Sequence, residues 1–429
     1  SLPILYAIYA RKIGPPSPIP KASIQSRRLH GAPSVLMEMG AGREMPWGII
    51  YEILSRTSLQ VLYTCRPVCR DWNMIITDPS FMNLHAHRTP TLSGVFLQYN
   101  DGWGIGRRFI SPTASLKNEV LSLNFAPDEG DVRVFASSDL GLLYGLSHSL
   151  EKISHDSVYY LGICKPTTKQ WHSIPFPSFY LLYGAQFAAL VITDTSPLQY
   201  KIIHAVPSNG KDVSFHVFDS NKWEWRQAGK ISQENVQLDA AQAGGVLIRG
   251  TVHWLISGFR ILTFDGYSET SQMRESPYAA YPGPDLVRIV EYQGMLGYVR
   301  IQFVQPIGGE EANAVEIELW VLENYGHRDG WGVWNKRHAF AVNFTSCTSE
   351  DPPLTLHGNT LALLCPRPIR TTTLLCIDFT TAQTILWITK RSWSYTTAVM
   401  SFRSDWEAYH LAMHTYPHGK NVDDLKEDG

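Results

Sequence analysis

The chain has little of what marks an enzyme, a membrane protein or a nucleic-acid binder. Its 429 residues carry a formal net charge of -2, and neither basic nor acidic residues gather into long blocks. That balance argues against a nucleic acid or an anionic membrane as the main partner. No apolar run reaches the roughly twenty residues that cross a bilayer. The six cysteines (Cys65, Cys69, Cys164, Cys347, Cys365 and Cys376) are widely scattered, which fits free thiols in a reducing compartment better than a disulfide framework. Cys65 and Cys69 have no second pair at zinc-ligand distance. Among fifteen histidines there is no HExxH, and for His85 with His87, the closest two, no third ligand can be named. No G-x-S-x-G elbow occurs. The glycine run Gly102-Trp103-Gly104-Ile105-Gly106 leads into Arg107 to Pro112 with no helix to present to a phosphate, so it reads as a turn or blade loop. No catalytic residue, metal or cofactor is expected.

What is present begins with Met45 to His85, where apolar residues fall at helical spacing. Ile49, Ile50, Ile53 and Leu54 share one stripe behind Pro46. Leu59 and Leu62 follow Ser58, an N-cap. Val68, Trp72, Ile75 and Ile76 form a third run, with Pro67 in its first turn and Asp78-Pro79 at its end. Three helices in about forty residues are too small to bury all these side chains alone. Part of this surface should meet a partner, the rest packing helix against helix.

The run Met45-Pro46, Ile49-Ile50, Ile53-Leu54, Leu59, Val68-Cys69-Arg70-Asp71-Trp72 and Pro79-Ser80-Phe81 resembles the F-box pattern. Met45, Gly48 and Thr57-Ser58 depart from it, standing where Leu, an acidic residue and Leu-Pro are usual. The resemblance implies that Pro46, Ile49, Ile50, Ile53, Leu54, Leu59, Leu62, Val68, Cys69 and Trp72 dock a Skp-type adaptor. Through it the chain would join a cullin-RING ubiquitin ligase in the cytoplasm, the nucleus or both.

From Thr91 onward long helical periodicity disappears, and short apolar runs bounded by turn residues predict an all-β architecture. A strand, a turn and a strand with Trp recur. Taking Cys164, Phe218, Phe264, Val321 and Ile377 as equivalents, the steps are 54, 46, 57 and 56 residues. That period suits four-stranded propeller blades. Apolar hairpins with a central Gly, from Ser137, Gly244, Val290 and Leu354, supply the inner strands. About six blades are expected, the last closed by Gly94 to Tyr99 or Arg108 to Ser111 pairing with Tyr395 to Phe402. The organisation is then a disordered or non-native leader (1–42), a small all-α F-box module (43–88), an all-β propeller (89–415) and a charged tail (416–429).

KPTTKQWHSIPFP, SSDLGLLYG, GTVHWLI and ILTFD resemble elements of the F-box-associated domain of plant F-box proteins, with Lys165 where Asn is usual. This implies a kelch-like propeller that binds an unidentified protein to be ubiquitinated. Loops Pro207 to Asp212, Gln233 to Gln242, Ser268 to Gly283 and Gln305 to Asn313 are where specificity would lie, but composition names no ligand. Asp219, Asp265 and Asp378 sit at equivalent turns, where an Asp carboxylate ordinarily binds nearby backbone. The tryptophans, Trp171, Trp223, Trp225, Trp254, Trp331, Trp334 and Trp387, read as blade packing before a glycan platform. Three alternatives stay open: a glycan- or protein-binding propeller with no ligase role, a propeller enzyme, and a decayed F-box gene in which Gly48 and Thr57-Ser58 mark relaxed constraint.

Overall fold

The computed structural model describes residues 47–89, 91–100, 105–110, 123–127, 131–150, 157–178, 187–195, 197–208, 212–232, 238, 244–278, 286–304, 314–325, 331–343, 354–367, 371–390, 396–405 and 420–421. The leader 1–42, Pro46, the glycine run at 102–104 and most of the tail lie outside them. Two compact units are present, Ser1–Thr57 and Ser58–Gly429.

In the first unit, helix α1 (Trp47–Leu54) ends where the Thr57 hydroxyl donates to the Leu54 carbonyl at 2.8 Å. In the second, α2 (Leu59–Cys65) is capped by Ser58, whose hydroxyl accepts from the Val61 N–H. Helix α3 (Arg70–Thr77) starts later than the apolar pattern suggests, because Pro67 and Val68 belong to the preceding turn. Asp78 ends α3 and at once caps a fourth helix, α4 (Pro79–Arg88), accepting from the Phe81 N–H at 2.9 Å. Asp before Pro is a start signal as well as a stop, since Pro at the first helical position has no N–H to leave unpaired. His85 and His87 accordingly lie on this helix.

The strands form six sheets arranged as propeller blades. Blade one holds β3 (Asp131–Ser137), β4 (Leu143–Leu150), β5 (Ser157–Lys165) and β6 (Gln170–Ser173). Blade two holds β7 (Ala188–Thr195), β8 (Leu198–Ser208), β9 (Asp212–Asp219) and β10 (Glu224–Ser232). Blade three holds β11 (Val246–Ile248), β12 (Thr251–Ile256), β13 (Arg260–Asp265) and β14 (Ser271–Glu275). Blade four holds β15 (Leu286–Tyr292), β16 (Met295–Val304), β17 (Ala314–Glu323) and β18 (Val333–Asn343). Blade five holds β19 (Leu354–His357), β20 (Thr360–Arg367), β21 (Thr371–Asp378) and β22 (Gln383–Lys390). Blade six is made from both ends of the chain: β1 (Thr91–Asn100) pairs with β2 (Ile105–Ile110) and, antiparallel, with β23 (Thr396–Asp405), Val95 facing Ser401. The innermost strands β3, β7, β11, β15, β19 and β23 neighbour one another in a closed ring. Within the tail, Lys420–Asn421 form β24 on Tyr159 and Val158.

The core lies in layers between blades, because each inner strand turns alternate side chains to opposite neighbours. Along β1, Val95 and Leu97 pack on blade five, with Leu364 and Cys376. Phe96, one position on, packs on blade one with Val134 and Leu143. Gln98 shares that second side, and its Oε1 accepts from the buried Val134 N–H at 2.7 Å. Cys164, Cys365 and Cys376 are buried in these layers, and the five described cysteines are free thiols.

Candidate docking helices and the propeller mouth

Within α1, taken by itself, Trp47 and Ile49 are exposed, Ile50 and Ile53 half-buried and Leu54 buried. A Cβ at Gly48 would meet nothing, so no packing demand explains that glycine.

Helices α2 to α4 lie across one mouth of the propeller. Leu59 and Leu62 are buried, only 3% and 2% exposed, and with Ile76 they line a cavity of about 230 Å³. Val68 and Met74 point the other way, 47% and 59% exposed. Cys69 is exposed and Trp72 half-buried. The residues that the F-box resemblance assigns to an adaptor are thus divided here between a face on the propeller and a face open to solvent.

Polar contacts hold α2 and α3 to the mouth. The Tyr63 hydroxyl donates to the Ile192 carbonyl of β7 at 3.1 Å. Arg66 Nη1 lies 2.5 Å from Asp139 Oδ2, in the turn after β3, while its Nε donates to Asn73 Oδ1 at 3.2 Å. Burial would lower the Arg66 guanidinium, but Asp139 and Glu291 together hold it above its ordinary value. Glu291, near the end of β15, lines the same cavity and accepts from the Gly294 N–H at 2.5 Å. The Thr77 hydroxyl, 2.7 Å from the Asn73 carbonyl, is also 3.2 Å from that of Gln293. Gln293 and Gly294, both at positive φ, form the two-residue turn between β15 and β16. A Cβ at Gly294 would come within 3.1 Å of both Asn73 and Thr77, so the helix rests directly on this turn.

Helix α4 is held differently. Arg403 Nη2 meets His85 Nδ1 at 2.7 Å in a buried contact, and because a guanidinium only donates, Nδ1 is the acceptor. Phe81 is fully buried, and Thr89 then passes the chain to β1. Nearby, His357 on β19 is pushed down to about 4 by burial and by Arg403.

The other residues singled out from the sequence have structural partners. Asp219, Asp265 and Asp378 each accept backbone N–H groups of their own turns, such as Asn221, Ser268 and Thr380 at 2.9, 2.7 and 2.8 Å. Each stands four residues before a left-handed residue, Trp223, Glu269 or Ala382. Lys165 stands four before left-handed Lys169, so it fills the same place in blade one, fully buried. In the SSDLGLL stretch, Gly141 has φ +73° and no room for a Cβ beside Ser404. His253 and Trp254, adjacent on β12, reach in opposite directions: His253 Nε2 to the Tyr325 hydroxyl at 2.9 Å, toward blade four, and Trp254 Nε1 to the Phe187 carbonyl at 3.2 Å, toward blade two. The indoles of Trp171, Trp225, Trp331 and Trp334 also donate within the protein. The Trp387 side chain lies outside the described residues. Among the described residues no group of three His, Cys, Asp or Glu could hold a metal ion.

In an antiparallel blade successive connections alternate between the two edges of the ring. The helices sit where inner strands turn into second strands, at Asp139 and Gly294. Strand ends Ser208, Asp212, Ser232, Val304 and Ala314, which bound three of the four loops expected to carry specificity, lie at the opposite edge. Ser268 to Gly283 spans both edges, because β14 runs through it.

No protein-family model matches the chain. It is 23% identical over 317 residues to F-box protein At5g49610 of Arabidopsis thaliana, covering 69% of this chain and 80% of that one. F-box protein At5g03970 of the same plant is 23% identical over 341 residues, 71% and 74% of the two chains. Its F-box/LRR-repeat/kelch-repeat protein At2g27520 is 26% identical over 248 residues, 56% and 62% of the two chains. Among solved structures, TolB of Acinetobacter baumannii aligns with a TM-score of 0.40 at 9% identity, covering 82% of this chain and 70% of that one, too distant to bear on function.

Proposed function

We propose that this chain, an F-box protein of the plant type with a six-bladed propeller, is the substrate-recognition subunit of an SCF-type ubiquitin ligase. What supports the reading is the division of the propeller into two edges. One carries the helices, with Val68 and Met74 open to solvent; the other carries the longer connections. Apolar side chains left exposed on a small helical module are what an apolar partner would cover. In this reading the helices bind a Skp-type adaptor, which links them to a cullin-RING ligase. The far edge holds the protein to be modified.

The chain then supplies position and no chemistry. Holding a substrate lysine beside a charged conjugating enzyme converts an encounter between molecules into a reaction within one assembly. Such a subunit works in the cytoplasm, the nucleus or both. A glycan-binding propeller is disfavoured by the engaged indoles, since a sugar platform needs aromatic faces and polar edges turned outward.

The test is recovery of a Skp-type adaptor and a cullin with the tagged full chain from plant cells. Recovery of both carries the reading. A folded chain that recovers neither contradicts it.

A further inference from the structure

Helices α2 and α3 are joined to the propeller in a way that invites release. Polar contacts tie them to the mouth: Tyr63 with the Ile192 carbonyl, Arg66 with Asp139, and Thr77 beside the Gln293 carbonyl. Leu59, Leu62 and Ile76 line a cavity of about 230 Å³ that is otherwise walled by the inner strands of the six blades. Apolar side chains that border a void lose contact energy on that side. Asp139 and Glu291 both bear on the one cation Arg66, and a half-exposed ion pair adds little net stability. Helix α4 has the opposite character. It is pinned by the buried Arg403–His85 contact and by fully buried Phe81, and its chain runs directly into β1. Between α3 and α4 there is one extended residue, Asp78, with φ −67° and ψ 128°.

We propose that α2 and α3 form a latch, hinged at Asp78, that closes on the propeller mouth and competes with the adaptor for Leu59 and Leu62. This rests on the adaptor reading of the helices. In the closed state the adaptor meets only the outward side chains, including Val68 and Met74, while Leu59 and Leu62 are buried on the chain's own propeller. Opening at Asp78 hands them over, with α4 staying in place. The mouth is therefore an interaction surface whose occupant is the chain's own helical module. Closure lowers adaptor affinity by the fraction of molecules that are open.

Two substitutions on the propeller loosen the latch without touching the helices. Asp139→Lys replaces the partner of Arg66 with a like charge. Gly294→Asn keeps a residue that tolerates positive φ but places a Cβ against Asn73 and Thr77. Each full-length variant is titrated with a purified Skp-type adaptor, and amide hydrogen exchange is followed in its helices. The latch predicts faster exchange across 59–77, unchanged exchange across 79–88, and adaptor binding tighter by about threefold or more. If wild type binds and both variants bind equally or more weakly, with the propeller's thermal midpoint unchanged, the latch is overturned and the adaptor reading stands. If no form binds the adaptor although exchange in 59–77 rises, both are overturned.

Discussion

Arg66 and Asp139 lie 2.5 Å apart although seventy-three residues separate them in sequence. One closes a helix of the F-box-like module and the other sits in the turn between β3 and β4 of blade one. The pair thus marks where the two parts of the unit meet. Asp139 is largely exposed, so the pair contributes no more than about 1 kcal/mol to stability. Its effect is on where the helices lie.

Cross-blade anchors should dominate stability. Trp254→Ala removes a fully buried indole from between blades two and three, and a loss of about 3–5 kcal/mol is expected. Trp254→Phe retains most of the packing but strands the Phe187 carbonyl, costing about 1–3 kcal/mol. Urea denaturation ranks them. A Trp254→Phe variant as stable as wild type would show that the hydrogen bond contributes nothing.

Ring closure depends on polar side chains, Gln98 and Arg107 among them, as well as on Phe96 and Phe402. Gln98→Ala leaves the buried Val134 N–H without its acceptor, for an expected cost of about 1–3 kcal/mol. A thermal midpoint within error of wild type would contradict this.

Acid should weaken the fold in two steps. His253 is pushed down to about 4 by burial, as is His357 by burial and Arg403, so both rings are neutral in the folded chain at pH 7. Unfolded, they bind a proton near the ordinary 6.5. Their contribution is therefore present above 6.5 and is lost as the pH falls toward 4. Glu269 is held at about 2 by Arg226 and then Lys201, against burial. Its contribution is present above its ordinary 4.5 and is lost as the pH falls toward 2. Urea midpoints from pH 7.5 downward should decline first through the histidine window. A flat profile down to pH 4.5 would rule the histidines out.

Gly141→Ala should be poorly tolerated. The position needs φ +73° and a Cβ would overlap Ser404, so both backbone strain and collision act at the seam between blades one and six. Expression as soluble protein with an unshifted thermal midpoint would show that the seam can give.

Much of this architecture is legible in the sequence because a propeller repeats. The spacing of Phe218, Phe264 and Ile377 marks equivalent strands, and the Asp that follows each marks a turn whose hydrogen bonds the structure supplies. Closure of blade six by Gly94 to Tyr99 against the stretch ending at Phe402 follows from strands left without partners elsewhere. Lys165 carries no such marker, since a buried lysine where three other blades have Asp has no local signature. Helix α4 is hidden because Asp78-Pro79 reads equally as a stop and a start. The docking of α2 and α3 is absent from any local pattern. An apolar helix face looks the same whether it is covered by a partner or by a propeller seventy residues away.

The most direct measurement is calorimetric titration of the full chain with a purified Skp-type adaptor, comparing wild type with Val68→Asp and Met74→Asp combined. Both side chains are exposed, so the double variant should fold, whereas a charge at buried Leu59 would unfold the helices and prove nothing. Saturable binding by wild type, weakened about a hundredfold or more in a double variant of unchanged circular dichroism, is the predicted result. Absence of binding by folded wild type, or equal binding by both, contradicts the account.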